Sequence, residues 1–243
     1  MFNFFMKKTM FGPIRLMLED HLEQIQEKRE SIHEDVFDVT KFSIEEFIGI
    51  FKSMDILIMK NDFEGCLKLS RSILENSVNL QYIYKEDTEN RAKNFKLTQV
   101  KGMTKKFEAL DEYTPEAKEM YDFLKEELKG YKETKIREKF IAINSVGQYL
   151  TSYQRLSEFI HPTYRSVKID FLEKRPFIEN LKRIVRADTC VIVLMSLKAV
   201  CTKYDLDGGF MVIDEPGYIG HVFFATNPKK AEEDMKNHPI GRK

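Results

Sequence analysis

Apolar residues recur at helical spacing along most of this chain. From Ile14 to about Arg29 they stand three or four positions apart, which predicts one amphipathic helix. Further helix starts are indicated by residues whose side-chain oxygen can cap the first turn. An acidic residue three positions later, or proline at the first helical position, strengthens this signal. These predicted starts are at Ser43 with Glu46, at Asn61 or Asp62, and at Thr114 with Pro115.

Two later stretches have the same helical pattern. Residues 136–160 predict one or two helices that end near His161, because a residue before proline disfavours helical backbone. A long helix is predicted to begin at Pro176 and to reach about Lys203. Its centre is apolar nearly all round, which indicates a buried helix.

After Tyr204 the pattern changes from helical to extended. Residues 211–214 and 221–224 are typical of two short strands around a turn that contains Pro216 and Gly217. We therefore predict an all-α, multi-helix bundle with a small C-terminal β-hairpin. The predicted parts are an N-terminal arm and first helix (1–42), a helical core domain (43–204), and a hairpin with a polar tail (205–243).

Two polar clusters interrupt these apolar helices. In each cluster the polar residues recur every four positions, so they share one face of a helix. Buried polar groups are costly unless they bond to each other, and we therefore expect the two faces to meet and to form the best candidate site. The first cluster holds Arg71, Glu75 and Asn79, and the second holds Tyr153, Ser157 and His161.

The residues of these clusters allow two interpretations. A helix C-terminus and a nearby Glu75 would both favour the charged form of His161. Such a histidine could act as an acid or base near neutral pH. Alternatively, Arg71 and Glu75 form an internal salt bridge that fixes the helix register. In that case His161 caps the last turn of its helix and bonds to this salt bridge. Residue types and spacing leave both readings open.

Composition narrows the class of protein. The 243 residues are 42% hydrophobic, and 39 basic residues balance 39 acidic ones, which weakens the case for a free-standing nucleic-acid binder. The three cysteines stand in no CxxC pattern and are expected to be buried small hydrophobes in a reducing compartment. No apolar run approaches the roughly 20 residues of a membrane helix. We expect a cytoplasmic protein with neither a metal nor a cofactor.

The two clusters carry a family resemblance. The segments R-S-I-L-E-x-x-V-N-L-x-Y-I, from Arg71 to Ile83, and Y-x-R-L-S-E-F-I-H-P-T, from Tyr153 to Thr163, resemble a family of uncharacterised bacterial helical proteins. The likeness extends over roughly residues 45–205. This family is described only as a domain of unknown function and implies no activity.

A broader resemblance is to HEPN domains, helical bundles of toxin–antitoxin and antiphage systems. Many of them are metal-independent ribonucleases with an Arg-x(4–6)-His motif, and Arg155 and His161 fit that spacing. The resemblance implies that the arginine holds the scissile phosphate and the histidine assists proton transfer, often across a dimer interface. On one helix the two side chains would point about 120° apart, so they need a bend or a second subunit to converge, whereas Arg71 can face His161 within one chain.

Two functions follow as hypotheses. The first is a dimeric, HEPN-like ribonuclease or toxin-type effector that acts on RNA, with His161 as acid or base, Arg155 or Arg71 holding phosphate, and Glu75, Ser157 and Tyr153 completing the site. Asn79 and Arg165 are added as binding residues. The second is a non-catalytic helical module that binds a protein partner or a small ligand, with the same cluster as a structural network.

Overall fold

Helices make up most of the part of the chain that the computed structural model describes. That part is residues 11–60, 62–109, 114–158, 185, 189–206, 209–215 and 218–224. The helices are α1 (Gly12–Glu27), α2 (Glu34–Met59), α3 (Phe63–Lys85), α4 (Thr88–Glu108), α5 (Pro115–Glu127), α6 (Ile136–Ala142), α7 (Val146–Gln148), α8 (Gln154–Glu158) and α9 (Thr189–Tyr204). The predicted all-α architecture is confirmed.

Two of the predicted helix starts are confirmed by their capping bonds. The Asp62 carboxylate accepts a hydrogen bond of 2.8 Å from the backbone N–H of Gly65 at the start of α3. The Thr114 hydroxyl accepts one of 3.2 Å from Ala117 at the start of α5. Gly65 is required by this close approach, since a Cβ there would stand 2.8 Å from a carboxylate oxygen of Asp62 and 2.9 Å from Leu57.

The predicted helix start at Ser43 is wrong. Helix α2 begins at Glu34, where the His33 side chain accepts a hydrogen bond from the N–H of Asp35, and it runs unbroken past Ser43. Ser43 is buried in the helix interior because the apolar face of α2 continues on both sides of it. The sequence-based boundary between residues 42 and 43 therefore falls inside one helix, and residues on both sides belong to the same core.

Helix α3 lies at the centre of the bundle. It packs against α2, α4, α6, α8 and α9, and its apolar face is fully buried. Helix α9 is buried on most of its surface, which confirms the burial predicted for this apolar stretch. All three cysteines are buried, also as predicted; they are Cys66, Cys190 and Cys201.

The segment from α6 to α8 is irregular. Helix α6 ends at Ala142, and Asn144 adopts a positive φ of 58°, a left-handed conformation that asparagine tolerates better than most residues. Helix α7 then passes directly into a π-helical turn, Tyr149–Tyr153, which continues as α8. The sequence pattern predicts one or two helices here, and the structure divides the stretch more finely.

Two strands follow α9. The backbone of β1 (Gly209–Glu215) pairs antiparallel with β2 (Tyr218–Phe224), with Met211 opposite Val222. Strand β2 contacts α9 and strand β1 contacts α1. Within the described ranges, no helix combines the length and the apolar character needed to cross a membrane.

Candidate functional site

The two polar clusters meet where α3 packs against the π-helical turn. Arg71 donates a hydrogen bond from Nε to Glu75 Oε1 (3.0 Å) and another from Nη2 to the Tyr153 hydroxyl (3.1 Å). That hydroxyl donates in turn to the same Glu75 oxygen (2.9 Å). The three side chains form a closed triangle, which we call the Arg71 junction. The predicted contact between the two segments is confirmed.

Tyr153 is held in place by aromatic packing. Its ring is stacked on Tyr149 with 5.4 Å between centroids, and it lies 5.7 Å from the ring of Phe140 on α6. The Arg71 guanidinium carbon lies 5.2 Å from the centroid of the same Tyr153 ring. Tyr153 is 9% exposed, whereas the side chains of Arg71 and Glu75 are 23% and 38% exposed. The junction therefore has a buried phenol beneath an ion pair that solvent can reach.

The protonation states of the junction follow from burial and neighbouring charge. Burial raises the pKa of the Tyr153 phenol, and its hydrogen bond to Glu75 raises it further, while Arg71 acts in the opposite direction. Burial alone would lower the pKa of Arg71, but its hydrogen bond to Tyr153 and the charge of Glu75 outweigh burial and raise it. At neutral pH the junction therefore holds a cationic guanidinium and a neutral phenol that donates its proton.

Ser157 and Asn79 lie at the two ends of this arrangement. The Ser157 hydroxyl donates to the backbone oxygen of Tyr153 one turn earlier (2.7 Å), so its hydrogen is already committed. Asn79, two turns along α3 from Arg71, accepts a hydrogen bond of 2.8 Å from the Lys139 ammonium on α6. The structure thus joins the side chains of three predicted residues directly, whereas Ser157 bonds to the backbone of one of them and Asn79 bonds to Lys139.

The remaining predicted site residues lie outside the described residues. They are His161, Arg165 and the side chain of Arg155. Their roles stay predictions from the sequence pattern. In the ranges that the structure does describe, no three histidine, cysteine or acidic side chains gather in a way that could hold a metal ion.

Lys139 is a site residue that the sequence analysis missed. Burial lowers the pKa of its ammonium, although the charges of Glu133 and Glu75 act against this shift. Its bonded partner in the described structure is an amide rather than a carboxylate. In the sequence, Lys139 is marked only by its place directly before the aromatic Phe140, which is fully buried in the structure.

Comparison with models of protein families gives a match. The model of a family of unknown function, DUF5677, matches residues 43–176, which is more than half of the chain and includes both polar clusters. No curated protein and no solved structure matches. The predicted resemblance to an uncharacterised helical family is confirmed, and the chain belongs to the family of unknown function DUF5677.

Proposed function

We propose that the Arg71 junction is the phosphate-binding part of a HEPN-like, metal-independent ribonuclease that works as a cytoplasmic homodimer in a toxin or antiphage setting. One observation carries the proposal. Glu75 and Tyr153 fix two edges of the Arg71 guanidinium, while its Nη1 nitrogen bonds to no described residue. A partly exposed guanidinium held in one orientation is suited to bind a phosphate oxygen.

RNA cleavage without a metal needs three contributions. A base removes the proton of the 2′-hydroxyl, an acid protonates the departing 5′-oxygen, and positive charge stabilises the phosphate between them. In the proposal Arg71 supplies the charge and the neutral Tyr153 phenol orients it. His161, which follows Tyr153 in the sequence, supplies proton transfer, with Arg155 as a second phosphate ligand from the same or the partner subunit.

The same geometry favours a second candidate function. Arg71, Glu75 and Tyr153 satisfy one another, and the hydroxyl hydrogen of Ser157 is used by the backbone. Such mutual bonding is what a structural network requires when polar groups are placed between packed helices. On this alternative the chain is a non-catalytic helical module that binds a protein partner or a small ligand.

Four proteins distinguish the two functions. The wild type, His161→Ala, Arg71→Lys and the control Arg137→Lys are each incubated with total cellular RNA in EDTA, and their thermal melts are recorded. Arg137 is exposed on α6, so its substitution tests the loss of a guanidinium away from the junction. Arg71→Lys keeps the charge but loses the planar fork that reaches Glu75 and Tyr153 together.

If the chain is a ribonuclease, we expect the wild type and the Arg137→Lys control to cleave RNA and Arg71→Lys to cleave it at least tenfold more slowly. We expect His161→Ala to show no cleavage and a melting temperature equal to that of the wild type. Cleavage retained by His161→Ala would remove that residue from the site. No cleavage by the wild type, with Arg71→Lys alone melting several degrees lower, would favour the structural network and direct the search to a binding partner.

A further inference from the structure

A second polar site lies at the Asn79 end of the polar face of α3 that carries Arg71 and Glu75. Helices α3 and α4, the loop that precedes α6 and Lys139 on α6 line an open cleft with a cavity volume of about 20 Å³. This volume has room for about one water-sized group, so the cleft suits a single compact polar group at its open mouth rather than a large cofactor. The lining includes Asn79, Tyr82, Arg91, Tyr131, Lys132 and Lys139.

The charge of the lining is one-sided. Three cations line the cleft, Arg91, Lys132 and Lys139, and no carboxylate is among its lining residues. Tyr131 contributes a hydroxyl that is hydrogen-bonded to Thr98 (3.0 Å) at the same cleft. Arg91 is also paired with Glu86, which is not a lining residue. Lys132 and Lys139, beside hydroxyls and amides, therefore form the part of the surface that attracts an anion and offers it several donors.

Lys139 is the central cation of this cleft. Its Nζ donates to Asn79 Oδ1 at 2.8 Å, and no carboxylate in the described part of the chain lies within 4.0 Å of it. An ammonium carries three hydrogens, so this bond leaves two donors for a ligand. A partly buried ammonium that lacks a close counter-ion is costly, and a bound anion would relieve that cost.

Arg91 is fixed beside Lys139 by the backbone and by an aromatic ring. It donates 2.6 Å from Nη1 to the Tyr82 backbone oxygen and 2.8 Å from Nη2 to Glu86. Its guanidinium lies 4.0 Å from the centroid of the Tyr82 ring, and the Lys139 ammonium lies 5.9 Å from the same centroid. One tyrosine therefore places both cations at the same cleft.

We propose that this cleft binds a phosphate group, either as free inorganic phosphate or as the phosphate of a small monoester, with Lys139 as the main ligand and Arg91 and Lys132 as flanking charges. The assignment is independent of the ribonuclease proposal, because none of these three cations belongs to the Arg71 junction. A tetrahedral dianion fits a compact, multiply cationic cleft better than an apolar molecule does.

Titration calorimetry with two probes tests the proposal on the full chain at fixed ionic strength. Inorganic phosphate and 5′-AMP are titrated into the wild type, Lys139→Met, Lys132→Met and the control Lys118→Met. Lys118 is exposed on α5, away from the cleft lining, so its substitution removes the same charge elsewhere. Methionine keeps the unbranched aliphatic stem of lysine and removes only the ammonium.

Saturable binding is expected for the wild type and for Lys118→Met. Lys139→Met should weaken it at least tenfold, and Lys132→Met, at an exposed position that does not endanger folding, should weaken it several-fold. Equal affinity for both probes assigns the cleft to phosphate alone, and tighter binding of 5′-AMP assigns it to an organic monoester. Affinity weaker than about 10 mM for both probes, or an equal loss in the Lys118→Met control, would overturn the proposal.

Discussion

Replacing Tyr153 by phenylalanine tests the Arg71 junction most directly. The substitution deletes one hydroxyl that accepts from Arg71 at 3.1 Å and donates to Glu75 at 2.9 Å. The ring, with its stacking on Tyr149 and its contact with Phe140, is retained. Any change in the free energy of unfolding therefore reports on the two hydrogen bonds.

The expected magnitude follows from the surroundings of the hydroxyl. A hydrogen bond to a charged group contributes about 1.5–3 kcal/mol when well shielded. Here Arg71 and Glu75 remain bonded to each other at 3.0 Å, and water can reach both side chains, so part of the loss is recovered. We expect a net destabilisation of about 1–2 kcal/mol, or a melting temperature lower by about 2–8 °C for a chain of this size.

Urea unfolding at 25 °C, with a thermal melt in parallel, measures this change. Tyr149→Phe is the matched control, because Tyr149 lies on the same π-helical turn and its hydroxyl bonds to no described side chain. The control should stay within about 0.5 kcal/mol of the wild type. Equal stability of the two variants would refute the view that the Tyr153 hydroxyl holds the ion pair.

Three further changes test the fold and the cleft. Asp62→Ala removes the cap of α3 and should cost about 1 kcal/mol of unfolding free energy, measured by urea titration. Phe51→Ala, at a fully buried ring packed 4.9 Å from Phe11, should cost about 3–5 kcal/mol, whereas Phe42→Ala at a half-exposed ring should cost less than about 0.5 kcal/mol. Because the pKa of Lys139 is lowered in the folded chain from its ordinary value of 10.5, the unfolded chain binds more protons between the two values, so the stability contributed by this residue should rise with pH in that window. A wild-type minus Lys139→Met stability difference that stays flat across that window would contradict the lowered pKa.

The parts of the fold that local chemistry determines were predictable from the sequence. The caps at Asp62 and Thr114 were found because each oxygen bonds to a backbone N–H only three residues away. The contact between the clusters of Arg71 and Tyr153 was predictable for a different reason. Polar groups at helical spacing on an apolar helix need partners, and the second cluster carries polar groups at the same spacing.

Other features depend on partners that are distant in sequence. The pattern at Ser43 is a good local cap, but the long apolar face of α2 outweighs it, so tertiary burial decides the outcome. Lys139 could not be singled out because Asn79 and Tyr82, which define its role, lie about sixty residues earlier. The left-handed Asn144 that ends the α6 region carries only a weak signal in the sequence, because asparagine tolerates this conformation but adopts it at few positions.

The π-helical turn at Tyr149–Tyr153 makes the site sensitive to the number of residues in one turn. A π turn holds about one residue more than an α turn, so it is equivalent to a single-residue insertion in a regular helix. Deleting one residue there would restore α-helical winding and rotate everything that follows by about 100°. Tyr153 and Ser157 would then leave the face that meets Arg71. A homologue that has lost this one residue would keep the composition of both motifs and still lack their contact.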